Sequence, residues 1–145
     1  MMKENQKKFE EVKQLNLPIG QYAITGSGPM GVRNLKKIGD IDIIIIFKLW
    51  KSLSEKYGII DQKSVRKIVI VGTSIEIFYE HSFYNLPKET EEPSVSERIA
   101  QSEIIEGLPF ESLKHVLYYK QRMGREKDLD DIKIIQDWQK EQNLK

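Results

Sequence analysis

The segment Ile24–Phe47, ITGSGPMGVRNLKKIGDIDIIIIF, decides how the rest of the chain is read. A small-residue turn, Gly26-Ser27-Gly28-Pro29, leads through a short basic stretch to Asp40 and Asp42, which open a run of four isoleucines. An apolar run of this kind reads as a buried strand. Two carboxylates at the mouth of such a strand are costly unless a cation meets them. Spaced two apart on extended backbone, they project from one face with Cα atoms about 6.6 Å apart, so their oxygens can converge on one point. A magnesium ion carrying a nucleotide satisfies that arrangement, because it takes oxygen ligands at about 2.0–2.1 Å and keeps partners on a phosphate.

Around this segment the chain alternates short strands and helices. Phe9, Val12 and Leu15 fall at helical spacing within Asn5–Leu15 and predict an amphipathic first helix. Gln21–Thr25 predicts a strand that ends on the glycine-serine turn, and Met30–Lys36 a brief helix whose N-terminus faces that turn. Ile41–Phe47 is the most strongly β-forming stretch. Leu49, Leu53 and Tyr57, followed by Gly58, predict a third helix with a glycine stop. Lys67–Val71 and Ser74–Tyr79 flank Gly72-Thr73 as a hairpin. From His81 to Pro93 the composition is that of a surface loop, with Glu89, Glu91 and Glu92 as a solvated face. Ser94–Ser102 is weakly helical, and Gly107-Leu108-Pro109 interrupts before the next element. Leu113, Val116, Leu117 and Lys120 share one side of a helix closed by Gly124, and Leu129, Ile132, Ile135 and Trp138 mark the inward stripe of a last helix over Lys127–Lys140.

The expected fold is therefore α/β (α+β): a small mixed central sheet of at least four strands, helices mainly on one face, and a helical C-terminal part. The 145 residues fit one domain over 1–145, with the sheet at about 17–80 and the helical part at about 94–140. With 39% hydrophobic and 31% charged residues the chain has the composition of a folded domain, and 23 basic against 22 acidic residues leave no global field to draw it to nucleic acid or membrane. The absence of cysteine excludes disulfides, thiolate metal sites and a cysteine nucleophile. His81 and His115 are the only imidazoles, so metal chemistry falls to oxygen ligands. The charged N-terminus lacks a signal-peptide core and the longest apolar run contains Asp42, which predicts a cytoplasmic protein with no membrane partner.

A third acid would complete a clamp for two metal ions about 3.5–4 Å apart. Glu76 in SIEIFY is the candidate, since Ile75 and Ile77 take the opposite face of its strand. If that strand lies beside the Asp-bearing one, Glu76 meets Asp40 and Asp42 as ligand or as base for an incoming hydroxyl. Asp61 and Glu80 lie at segment edges and suit the role less. Gly26, Ser27 and Gly28 let backbone amides approach an anion. The turn is neither a P-loop nor a dinucleotide fingerprint. Blander readings stand beside these: aspartate also caps turns before strands, Glu76 also suits an exposed strand face, and Arg125, Lys127, Asp128 and Asp131 also suit a charged helix start with Lys127 paired to Asp131. Trp50 and the Tyr118-Tyr119 pair read as packing residues rather than a base-stacking platform.

Together the residues resemble the DNA polymerase beta-like nucleotidyltransferase superfamily, whose signature is a glycine-serine or glycine-glycine turn, an Asp-x-Asp pair on the next strand and a third carboxylate on a later one. Gly26-Ser27, Asp40-Ile41-Asp42 and Glu76 fill those places. The tail is similar to small bacterial and archaeal minimal and toxin-like members, in which a lysine helix leads to Arg-x-x-Asp-x-x-Asp, here Lys120 and then Arg125, Asp128 and Asp131. The resemblance spans about Gln21–Trp138. Gly39 and Pro29 depart from the residues common in the family at those positions. The resemblance implies a nucleotidyltransferase fold and transfer of a nucleoside monophosphate from a nucleoside triphosphate to a hydroxyl or phosphate acceptor, with Mg2+ or Mn2+. Asp40, Asp42 and Glu76 would be catalytic and metal-binding. Gly26, Ser27, Arg33, Lys120, Arg125, Lys127 and Asp128 would contact nucleotide or phosphate. A small molecule, a protein side chain and a tRNA end all suit as acceptor, and the short chain leaves room for a homodimer or a cognate partner protein. The alternative is a catalytically degenerate domain of the same type that binds or regulates a partner, for instance in a toxin–antitoxin pair.

Overall fold

A computed structural model describes residues 1–62, 64–80, 82, 89 and 91–145. It contains helices α1 (Lys3–Gln14), α2 (Gly28–Gly31), α3 (Phe47–Tyr57), α4 (Val95–Ala100), α5 (Leu113–Met123) and α6 (Glu126–Asn143). Its strands are β1 (Tyr22–Thr25), β2 (Ile41–Ile45), β3 (Ile60–Asp61), β4 (Arg66–Val69), β5 (Ile75–Phe78), β6 (Glu103–Ile105) and β7 (Leu108–Phe110). They form one mixed sheet in the order β3-β4-β5-β2-β1-β7-β6. No helix among the described residues is long and apolar enough to cross a membrane.

The isoleucine run explains the sheet's centre. Along β2 the side chains alternate, so Ile41, Ile43 and Ile45 enter one layer while Asp42 and Ile44 enter the other. The first layer is sealed by Phe9 and Val12 of α1 and Trp50 of α3, and it gathers Ile24, Ile75 and Ile77 from the neighbouring strands. The second layer packs Ala23, Ile44 and Phe78 under Val95 and Ile99 of α4. A third cluster joins Met30 of α2 to Leu113, Val116 and Ile135 of α5 and α6. Helices therefore cover both faces of the sheet, where the sequence predicted mainly one. The reason is that α4, weak as a helix, carries an apolar pair that the second layer needs.

Four further expectations are corrected. The sheet gains a C-terminal hairpin, because Glu106 (φ 55°) and Gly107 (φ 80°) make the two-residue left-handed turn that joins β6 to β7. Residues read as an interruption thus place β7 parallel to β1, with Ile24 opposite Phe110. The helix after the glycine turn spans Gly28–Gly31 rather than Met30–Lys36, and the chain leaves it through Asn34 at φ 63°. On α6 Ile135 is buried and Trp138 packs beside it as expected, but Asp128 and Asp131 are buried too, while Leu129 is 60% exposed. Glu89 and Glu92 are not simply solvated, since they accept hydrogen bonds from Tyr118 and Tyr119 and pair with Arg122. His81 and most of the loop that follows it lie outside the described residues.

Candidate active site

The alternation that buries the isoleucines leaves three polar residues in a row on the α4 face. Thr25, Asp42 and Glu76 are Cα partners across β1, β2 and β5, in register and on the same side of the sheet. Asp40 stands exposed just before β2. The amide of its neighbour Ile41 donates a hydrogen bond at 2.8 Å to the carbonyl of Ser74, just before β5. Burial, then the charges of Glu76 and Asp40, push the Asp42 carboxyl up to about 7 against the pull of Lys67 and Lys120. Burial and the two neighbouring acids together outweigh the neighbouring cations.

Gly26 lies directly against this carboxylate. It sits at φ +64°, and a Cβ added there would stand 2.8 Å from Asp42 Oδ2. Gly28 has a different reason: a Cβ there would meet Ile24 Cγ2 at 2.3 Å, so the turn can fold onto β1 only without a side chain. The Ser27 carbonyl accepts amides from Met30 and Gly31, at 3.1 and 2.9 Å.

Beside Asp42 a cavity of about 250 Å³ opens between the sheet face, α4 and the α5–α6 junction. Gly26, Asp42, Lys120, Arg125 and Asp128 line it together, although they are far apart in sequence. Lys120 is only 9% exposed, and its ammonium lies 2.9 Å from Asp131 and 3.9 Å from Asp128. Lys36 also reaches Asp131, at 2.8 Å, tying the basic stretch before Asp40 to α6. Arg125 caps α6: its amide and its guanidinium donate to Asp128. Burial alone would raise the Asp128 carboxyl, but the Arg125 hydrogen bonds and the nearby cationic charge hold it below the usual carboxylate range. Asp131 is lowered likewise, burial being outweighed by Lys36 and Lys120.

Asp40, Glu76, Ser27, Arg33 and Lys127 do not line the cavity, whereas Glu80 and Tyr119 do. Arg33 donates to the Pro29 carbonyl, pairs with Glu103 at 3.0 Å and stacks over Trp138. Lys127 is exposed, and Asp131, its expected partner, is held by Lys36 and Lys120 instead. Glu80 accepts the Val95 amide at the start of α4, and Asp61 is exposed on β3 at the sheet edge. His115 is buried as a packing residue, and that burial keeps its imidazole below its ordinary pKa. Trp50 is buried against Tyr79 and Arg66, and the Tyr118 and Tyr119 rings pack edge to face.

The sequence reading missed a second cluster on the cavity wall. Glu111 is fully buried at the end of β7, where it accepts from the Thr25 hydroxyl at 2.6 Å and from Arg98 Nε. The Arg98 guanidinium lies 4.1 Å from the Tyr119 ring centroid. Its signal was present in weak form, since Glu111 ends an apolar run as Asp42 interrupts one. Without the β6–β7 hairpin, nothing placed it beside β1.

The donor chemistry of Asp40, Asp42 and Glu76 fits Mg2+ or Mn2+: all are hard oxygen ligands, and Asp42 is a buried carboxyl with two acids acting on it. As they stand, no three acid or imidazole side chains among the described residues are gathered to hold a metal ion. Glu76 gives its carboxylate to Lys67, at 2.7 Å. Compared with known proteins, the chain matches no family model, no curated protein and no solved structure.

Proposed function

We propose that this chain is a metal-dependent nucleotidyltransferase that moves a nucleoside monophosphate from a nucleoside triphosphate to an acceptor hydroxyl or phosphate and releases pyrophosphate. The observation that carries the reading is the side-by-side register of Asp42 and Glu76 on the face that bears the cavity, with Gly26 packed against Asp42. A divalent cation bound by Asp40, Asp42 and Glu76 would supply charge neutralisation for the triphosphate. Gly26 leaves the carboxylate accessible from the β1–α2 turn. Lys120 and Arg125 present cationic charge to the same cavity, suited to phosphate oxygens, while Asp128 and Asp131 hold those two groups in place. Glu76, when free of Lys67, is placed to take the proton of an incoming hydroxyl.

The test combines calorimetry with a non-hydrolysable nucleoside triphosphate, with and without Mg2+, and an assay of pyrophosphate release. Binding is expected only with the metal. Asp42→Asn is expected to lower transfer about a thousandfold or more while the protein stays folded. Nucleotide binding without metal, together with full activity in that variant, would refute the reading.

The ion pair between Lys67 and Glu76 favours one second reading, a degenerate nucleotidyltransferase-like domain that binds or regulates a partner such as the other half of a toxin–antitoxin pair. That reading requires that no nucleotide and metal combination yields pyrophosphate. It also requires that Asp42→Asn leave partner binding intact.

A further inference from the structure

We propose that Lys67 is a built-in counter-ion of the acidic cluster, holding the Glu76 carboxylate while no metal is bound and giving it up when a divalent cation enters. The proposal rests on the metal-dependent reading above and assigns a role to a residue outside it. In the β4–β5 ladder Val69 faces Glu76, so Lys67, two residues along on the same side of β4, reaches Glu76 diagonally across the strands. The two groups meet at 2.7 Å with side chains 20% and 22% exposed, mostly sheltered at the edge of the polar row. Asp42 stands beside Glu76 on β2, in register, and Lys120 on the cavity wall is bound to Asp131 on α6 instead. Lys67 is therefore the cation that meets the acids from within the sheet.

A lysine suits this task better than an arginine would. Its ammonium is a compact point charge on a flexible stem, without the bidentate fork that would lock Glu76 in place. The pair is a single contact to one carboxylate oxygen, which an ion of twice the charge can displace. The consequence is a competition in which Lys67 lowers the affinity for metal alone. Glu76 becomes a ligand only when the incoming charge exceeds that of one ammonium.

The experiment measures Mn2+ binding without nucleotide, by the loss of the free-ion electron paramagnetic resonance signal, in the full chain and in Lys67→Met, Glu76→Gln and the double variant. Lys67→Met is expected to bind Mn2+ at least about fivefold more tightly, and Glu76→Gln in the same chain to erase that gain. Equal or weaker binding by Lys67→Met, with Mn2+ still bound by the unmodified chain, overturns the counter-ion and leaves the metal site standing. If neither protein binds Mn2+, the counter-ion falls, and nucleotide binding with and without Mg2+ still decides the metal-dependent reading. A measurement on the unmodified chain covers a variant that fails to fold. The Lys67 side-chain ammonium resonance, followed in a Mg2+ titration, is expected to shift with the same midpoint as metal binding, and a resonance that stays fixed through saturation overturns the proposal.

Discussion

The two faces of the sheet are built from the same strands and have opposite characters. On the α1–α3 face Ile24, Ile41, Ile43, Ile45, Ile75 and Ile77 are all fully buried and join one large apolar cluster. On the α4 face the same strands present Thr25, Asp42 and Glu76, with Lys67, Arg98 and Glu111 around them and a cavity above. Period-two alternation puts an isoleucine and a carboxylate one residue apart in different environments. One face supplies the burial that holds the sheet together. The other can then carry crowded charge that would be untenable in a layer contributing to the core on both sides.

The comparison is broken most severely by moving a carboxylate across the sheet. Ile43→Asp, one residue from Asp42, is expected to cost more than about 5 kcal/mol and to abolish the cooperative thermal transition seen by circular dichroism. A variant that melts like the unmodified protein would show that the two faces do not differ as described. A smaller loss is expected from Glu111→Gln, which leaves Arg98 without its buried counter-charge. Urea denaturation should show about 3 kcal/mol of destabilisation. An effect under about 0.5 kcal/mol would mean that the α4 face does not depend on this pair.

The next expectation is smaller and depends on pH. The Asp42 carboxyl stands near 7 in the folded protein against 3.8 ordinarily, so between those values the native state holds a proton that the unfolded chain releases. Stability from this group therefore falls as pH rises from about 4 to about 7 and is level above that. Asp128 and Asp131 act in the opposite sense, since their lowered values contribute stability that is lost as pH falls. Asp42→Asn isolates the first effect. Without metal, the variant is expected to match the unmodified protein near pH 4 and to exceed it by about 1–2 kcal/mol at pH 8, after allowance for screening. Parallel stability curves across that range would show that burial and the neighbouring acids do not raise Asp42 as described.

How much of this was legible in the sequence follows from how local each signal is. The Ile24–Phe47 stretch carried its own period and turn, so β1, β2 and the face of Asp42 could be read from it. The two-residue spacing in SIEIFY gave the face of Glu76, and the pairing of β2 with β5 then set the two acids side by side. The β6–β7 hairpin was obscured because its strands are three residues each and Pro109 lacks an amide hydrogen. Glu111 was lost with it. On α6, Leu129, Ile132, Ile135 and Trp138 formed a plausible apolar stripe. Lys36 and Lys120, distant in sequence, instead make it favourable to bury Asp131. A buried ion pair depends on a partner that pattern alone does not supply.

Lys127 and Lys120 give the finest test of where the site ends, because both are lysines beside the same two aspartates in sequence and differ in what they touch. Lys120 reaches Asp131 inside the cavity wall, whereas Lys127 is exposed on the first turn of α6. At that end of a helix the backbone dipole disfavours a cation, so Lys127→Ala removes a small repulsion without breaking a buried contact. The expected outcome is a stability change of a few tenths of a kcal/mol, in the stabilising direction, with nucleotide affinity and transfer within about twofold of the unmodified chain. The same assays on Lys120→Met should show weaker nucleotide binding, together with destabilisation from leaving Asp131 with one cation fewer. A tenfold loss in Lys127→Ala with no change in melting would mean that the nucleotide extends past the cavity onto the exposed face of α6. The charged helix start would then belong to the site along its whole length rather than at its inward edge alone.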